Sequence, residues 1–460
     1  MNSSEKKLTQ TNVTPSTFGK LFSRTVDDQI YAQPLIVANL TIGGKARNVV
    51  YVATVNNTLY AFDADDASAS TPLWKVSLTP SGYRAVKNTD MTGACDGNYQ
   101  DFTGNMGTVG TPVIDLATKT LYVVAHSVLT TNSATNIQYL HAIDILTGAE
   151  KANSPVLISA AVFGGGDGQV NGTINFNPQR QNQRPGLLLY NGVVYIAWAS
   201  YCDWSPYHGW VLGYDATSLQ RKYIYNDTPQ GGTGGIWMSG QAPAVDDQGF
   251  IYLSTGNGTV GAPNDPNYVI NRGESILKMS TASGSLAVTD FFTPHNWPDL
   301  EANDQDYGCD GVMLIPQTRL SISGSKNGIV YLVNTDKMGK TSDNDTGARQ
   351  IIDANSSLPD QKHVHGTPVY YRGPNNKEFM YLWGENSLLK QIPFIRKNSR
   401  FNLTTVRLGS TILPGGMPGA MLAVSSNGIK AKTGILWASH PLSGDANAGT
   451  VPGVIQAFAA

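Results

Sequence analysis

VVYVAT at residues 49–54, followed by TLYAFDA at 58–64, decides the fold. Both runs are β-branched and aromatic, and both alternate side chains with the period of two that a strand requires. The same pair recurs along the chain. LYVVAH (121–126) precedes YLHAIDILTG (139–148), VVYIAWA (193–199) precedes WVLGYDATS (210–218), and FIYLSTG (250–256) precedes SILKMSTASG (275–284). More degenerate copies follow: LSISGS (320–325) with GIVYLVNTDKMG (328–339), FMYLWGE (379–385) with SLLKQIPF (387–394), and GILWASH (434–440) with VIQAFAA (454–460). A repeat of this length is one supersecondary unit that buries its faces only against its neighbours.

The second strand of a pair ends in a residue whose short side-chain oxygen can bond the backbone of the next turn. Asp63, Asp144 and Asp215 hold that position, with Ser280 and Asn334 replacing them later. The anchor tyrosines Tyr51, Tyr122, Tyr195 and Tyr252 stand roughly 55 to 75 residues apart, room for four strands and their loops. A further strand precedes most pairs (QPLIVA 33–38, TPVID 111–115, TPVYY 367–371) and another follows (LWKVSL 73–78, RKYIYN 221–226). Four antiparallel strands repeated seven times describe an all-β propeller. The expected blades lie at about 27–78, 107–160, 184–226, 241–294, 310–340, 363–410 and 415–460, in one domain over 1–460, after a lead-in over 1–17. The last unit lacks an outer strand. FGKLFSRTV (18–26) resembles one, so the N-terminal strand is expected to close the ring and cover that open edge.

Bulk properties exclude several classes of function. Charged residues make up 14% of the chain and the net charge is −2, so no electrostatic footprint for nucleic acid exists. No apolar run reaches the ~18 residues of a membrane span, so no membrane insertion is expected. The start, MNSSEKKLTQ, has no apolar signal-peptide core. Sequons such as those at Asn12, Asn39, Asn171 and Asn257 fit a secreted or periplasmic protein. The three cysteines, Cys95, Cys202 and Cys309, lack zinc-motif spacing.

Y-[VIL]-x…L-Y-A-F-D-A resembles the repeat of the pyrroloquinoline-quinone (PQQ) enzyme-like propellers, the quinoprotein alcohol dehydrogenase-like superfamily. LTQTNVTPSTFGKLF, YAQPLIVANLTIGGKARNVVYVAT and NQRPGLLLYNGVVYIAWASYCD are similar to a bacterial branch of secreted PQQ-like repeat proteins. The resemblance covers the whole chain. Relatives usually carry one more blade, so an eight-bladed lineage lacking its last blade stands beside a seven-bladed ring. The resemblance is specific for fold and says little about chemistry: a PQQ-dependent dehydrogenase of this fold would take PQQ and calcium, but the adjacent cysteine pair of the alcohol dehydrogenases is missing here, and no cofactor is assigned.

Loops joining strands two and three share a face with the links between blades, and these are the long ones: 79–109, 154–183, 200–209, 227–241, 255–273, 295–310, 340–366 and 439–453. Long loops on a rigid scaffold are where binding concentrates. Residues just before innermost strands should point at the axial mouth of that face: Arg180, Arg184, Trp237, Gln241, Asp310, His363 and His365. Guanidinium, indole, imidazole and carboxylate together suit a polar planar or anionic ligand. The plainer reading is that these side chains satisfy backbone groups between blades.

SYCDWSPYHGW (200–210) adds Asp203, Trp204 and His208 as rim candidates. Cys95 and Cys202 fall in neighbouring loops, and a disulfide between them is preferred to a cysteine nucleophile, for which neither an oriented base nor an oxyanion hole is visible. HVH (363–365) offers two imidazoles without a third ligand, and SDNDTG (342–347) lacks the glutamate of an EF-hand loop, so no metal site is assigned. The sequence thus describes a monomeric binding or scaffold module for a glycan or protein ligand, without catalytic residues, with a PQQ/calcium-dependent oxidoreductase as the alternative.

Overall fold

The computed structural model describes residues 2–261, 270–354, 363–447 and 449–460. The loops expected over 255–273 and 340–366 therefore lie partly outside the described residues. Seven antiparallel sheets follow one another in chain order as the blades of a propeller. Blade 1 comprises Leu35–Ile42, Lys45–Thr54, Thr58–Asp63 and Trp74–Ser77, hydrogen-bonded in that order. Blades 2 to 6 repeat the plan around the central strands Thr120–Leu129, Val193–Ser200, Ile251–Ser254, Leu320–Gly324 and Glu378–Leu382. Blade 7 has three strands, Met421–Ser425, Ile435–Pro441 and Gly453–Ala459.

Both faces of a central strand are covered, one by each neighbouring blade. Along Thr120–Leu129, Tyr122 and Val124 pack with Val194, Ile196 and Trp198 of blade 3. The intervening Leu121, Val123 and Ala125 pack with Tyr51, Leu59 and Ala61 of blade 1. Double coverage explains why these strands read as nearly continuous apolar runs.

The tyrosines and the turn residues of the repeat prove to be one device. Asp63, Asp144 and Asp215 each accept two backbone N–H groups of the following turn, and Ser280 and Asn334 each accept one. The turn so fixed presents its next residue to the preceding blade. Tyr51 donates to the Ile145 carbonyl at 2.8 Å, and Tyr122 to the Ala216 carbonyl at 2.6 Å. Each phenol is almost fully buried, so the bond satisfies a polar tip that burial would otherwise penalise.

Two expectations are corrected. Residues 18–26 form no strand. Instead the amino-terminal segment is a strap: Asn2 and Ser3 hydrogen-bond with residues 424–428, at and just past the end of the innermost strand of blade 7, and Phe18 packs on Trp437 at 5.4 Å. Val26 then lies against Val50, Val52, Tyr60 and Phe62 on the lateral face of blade 1. Phe18 and Val26 anchor to different blades, leaving Leu21 90% exposed between them, so the apolar positions do not share one edge. Blade 5 also extends past residue 340, because its outer strand is Ala348–Asp353 while Lys340–Thr341 pairs in parallel with the outer strand of blade 4.

Candidate binding site at the axial mouth

Cys95 and Cys202 are joined in a disulfide, Cα to Cα 5.5 Å, that ties the approach to blade 2 to the SYCDWSPYHGW loop of blade 3. The bridge lies over an apolar cluster that includes Met91, Tyr99, Phe102 and Tyr201. Arg180 lies 3.7 Å above the Trp204 ring and donates to the Trp204 and Ser205 carbonyls. Trp204 in turn covers Gly93, where any Cβ would overlap the indole. This places Arg180 with the rim loop. Asp203 accepts the Tyr207 hydroxyl, and desolvation by the surrounding walls, with Asp306 second, pushes its carboxyl up to about 6. His208 is not a rim group. It is 3% exposed, with Nδ1 on the Thr228 hydroxyl and Nε2 on the Asp167 carbonyl, both at 2.9 Å.

Arg184 and Trp237 converge. The guanidinium stands 5.5 Å from the ring centroid, and the buried indole Nε1 has no hydrogen-bond partner among the described residues. Burial lowers the Arg184 pKa, against the opposing fields of Tyr99, Asp101, Cys309 and Asp306. Lys326 completes the charge pattern, 2.5 Å from Asp306 and 3.1 Å from Asp304. Burial works against its charge, but the two aspartates outweigh that penalty and raise its pKa. Asp306 also accepts the Asn257 N–H at 2.8 Å. Approaches to blades 2 through 5, with Lys326 from the turn after the central strand of blade 5, thus bring an aromatic face, two cations and several carboxylates into one electrostatic neighbourhood.

His363 and His365 meet on Glu385, a residue that no sequence pattern flagged. His363 Nδ1 lies 3.1 Å and His365 Nε2 3.4 Å from the two carboxylate oxygens. Burial pushes the His365 pKa well down, and His363, Lys326 and Arg184 add to the effect. Gln241 and Asp310 sit elsewhere. Gln241 lies flat over Gly311 between blades. Asp310 is fully buried, accepting Ser323 Oγ and the Gly324 N–H at 2.9 Å, and desolvation pushes its carboxyl up to about 7. In SDNDTG, Asp345 is held by His295 through its N–H and Nδ1. On the opposite, short-loop face a cavity of about 420 Å³ is flanked by Arg319, Arg349 and Arg396. All three already donate to protein acceptors.

No protein-family model matches the sequence, and no curated protein matches it. Solved structures do. A quinohemoprotein alcohol dehydrogenase (ADHIIG) from Pseudomonas putida HK5 aligns with 96% of this chain and 67% of its own, at a TM-score of 0.52 and 13% identity. The quinohemoprotein alcohol dehydrogenase of Comamonas testosteroni aligns with 96% of this chain and 75% of its own, at a TM-score of 0.51 and 12% identity. At such identity the likeness is one of fold, and the chain shares the propeller architecture of PQQ-type quinoproteins.

Proposed function

We propose that this propeller is a secreted or periplasmic binding module whose axial mouth takes a glycan. One observation carries the reading: Arg184 lies against Trp237, whose indole N–H has no hydrogen-bond partner among the described residues, in the field of Asp101 and Asp306. A sugar ring needs an apolar face to stack on and short-range donors and acceptors for its hydroxyls, and a pocket with few fixed polar groups gives orientation. The Cys95–Cys202 disulfide supports an oxidising compartment. The test is a titration of tryptophan fluorescence with a panel of neutral and acidic oligosaccharides. Arg184→Ala and Trp237→Ala should each weaken binding by at least tenfold, and a ligand that binds both variants as tightly as wild type refutes the assignment.

The alternative, a PQQ and calcium-dependent oxidoreductase, is motivated by the shared fold. The donor set does not suit it. Of the two cations in the mouth, Lys326 is already neutralised by Asp304 and Asp306. Asp101 and Asp203, whose charges act on the same cations, would oppose a quinone tricarboxylate there. The only disulfide among the described residues joins separate loops instead of adjacent residues.

A further inference from the structure

We propose that His363, His365 and Glu385 bind one divalent transition-metal ion of the zinc, cobalt or nickel type, held by two imidazole nitrogens and a carboxylate. The two histidines are two residues apart in the approach to blade 6, and Glu385 follows the central strand of the same blade. Backbone contacts fix both segments. The Glu385 N–H donates to the His363 carbonyl at 3.2 Å, and the Cys309 thiol donates to the Val364 carbonyl at 3.2 Å. The three residues lie in the approach segment and in the turn after the central strand, and these two hydrogen bonds hold the segments together.

The distances are those of a coordination shell. Ligands about 2.0–2.1 Å from a tetrahedral ion lie about 3.3 Å from one another. His363 Nδ1 and His365 Nε2 are 3.1 and 3.4 Å from the carboxylate oxygens. All three donor atoms fall within 4.8 Å of each other, so a small imidazole rotation closes the remaining edge.

A second observation points to a ligand. The Glu385 side chain has no solvent exposure, yet neither oxygen has a geometrically sound hydrogen bond among the described residues. The facing nitrogens of His363 and His365, though 3.1 and 3.4 Å from those oxygens, likewise make no hydrogen bond among the described residues. A buried carboxylate is costly unless it is paired or coordinates a metal, and here one donor atom from each of the three side chains lies within 4.8 Å of the others. Imidazole donors select borderline ions over calcium, which takes all-oxygen shells. Three protein donors also leave a coordination position open, the pattern of a site that holds water or a ligand and not of a closed structural one.

The test uses full-length protein stripped with a chelator and titrated calorimetrically with Zn²⁺, and with Co²⁺ by visible absorption. One equivalent should bind in the micromolar range or tighter. Glu385→Gln and His365→Asn should each lower affinity at least tenfold. His295→Ala, remote from the site, should leave it unchanged. The Co²⁺ spectrum should show ligand-field bands without a thiolate charge-transfer band, a readout that needs no variant to fold. Weak binding of several equivalents, wild-type affinity in Glu385→Gln, or a thiolate band from Cys309 would each overturn the site. Glycan binding by the wild-type protein is scored separately, so either idea can fail alone.

Discussion

Replacing Asp310 with Asn should make the protein more stable in mild alkali and leave it nearly unchanged in acid. Asp310 is fully buried, and its carboxyl titrates at about 7 in the fold against 3.8 unfolded. The native state therefore holds the proton more tightly. Between those two values the unfolded chain binds fewer protons, so stability falls as pH rises, and the loss levels off above about pH 7. At about 1.36 kcal/mol per pKa unit, the ceiling is about 4 kcal/mol. Asparagine carries no charge to desolvate and keeps one oxygen for the Gly324 N–H, while the Ser323 hydroxyl can turn to accept from the amide. Unfolding entropy of about 2.1 cal/mol/K per residue gives about 1 kcal/mol/K for this chain. Asp310→Asn should then melt up to about 4 °C above wild type at pH 8 and within about 1 °C of it at pH 4.5. Scanning calorimetry at matched scan rates across pH 4.5–8.5 measures the difference directly. Asp227 and Glu274, whose carboxyls are also raised by burial, contribute equally to both proteins and cancel. A difference that does not vary with pH, or a variant that melts lower at pH 8, would refute the desolvation argument.

Tyr122→Phe removes the hydroxyl that donates to the Ala216 carbonyl and should cost about 1–2 kcal/mol. Tyr51→Phe acts at a different blade interface, so the double variant should melt lower by the sum, and a coupling beyond about 0.5 kcal/mol would mean the interfaces are not independent. Cys95→Ser with Cys202→Ser releases a cross-link spanning 107 residues, worth at most about 4–5 kcal/mol of chain entropy; a fall in Tm of about 5 °C or less is expected. Alkylation of the unreduced, denatured wild type should label Cys309 alone. Lys326→Met strands Asp306, which is 2% exposed, and should cost about 3–5 kcal/mol in chemical denaturation. Adding Asp306→Asn should recover most of that loss, and no recovery would show that the pair is not the source.

The blades were legible because one repeat carried two chemical roles. The tyrosine reports an interface and the aspartate a turn, and the structure links them across neighbouring blades through Ile145 and Ala216. Alternation misleads where it stands in for pairing. FGKLFSRTV alternates well enough to be a strand, but alternation states which side chains want cover and not which edge is free to give it. Phe18 and Val26 found cover on blades 7 and 1 separately. The outer strand of blade 5, ARQIID, was hidden for the opposite reason. It sits at the propeller's periphery, exposed or half-exposed at every position but Ile352, so its sequence carries little apolar signal.

At the mouth, residue types were legible and their partners were not, since a partner across the fold has no fixed spacing in sequence. His208 shows the cost: a histidine between two tryptophans looked like a rim group and is a buried brace between Thr228 and the Asp167 carbonyl. Yet the propeller contains a rule that recovers one missing partner. The segment approaching each blade runs beside the long-loop end of that blade's central strand. Tyr83–Ala85 pairs with Ser127–Leu129 in blade 2, and Gln181–Asn182 with Ala199–Ser200 in blade 3. Gly256 donates to the Gly235 carbonyl in blade 4, and Tyr307 bridges Ser325 in blade 5. Carried to blade 6, the rule sets the HVH segment beside the residues that follow FMYLW, of which Glu385 is the one carboxylate before the next strand. The third donor was absent from the local sequence but implied by the repeat, because in a propeller each approach segment faces the end of its own blade's central strand.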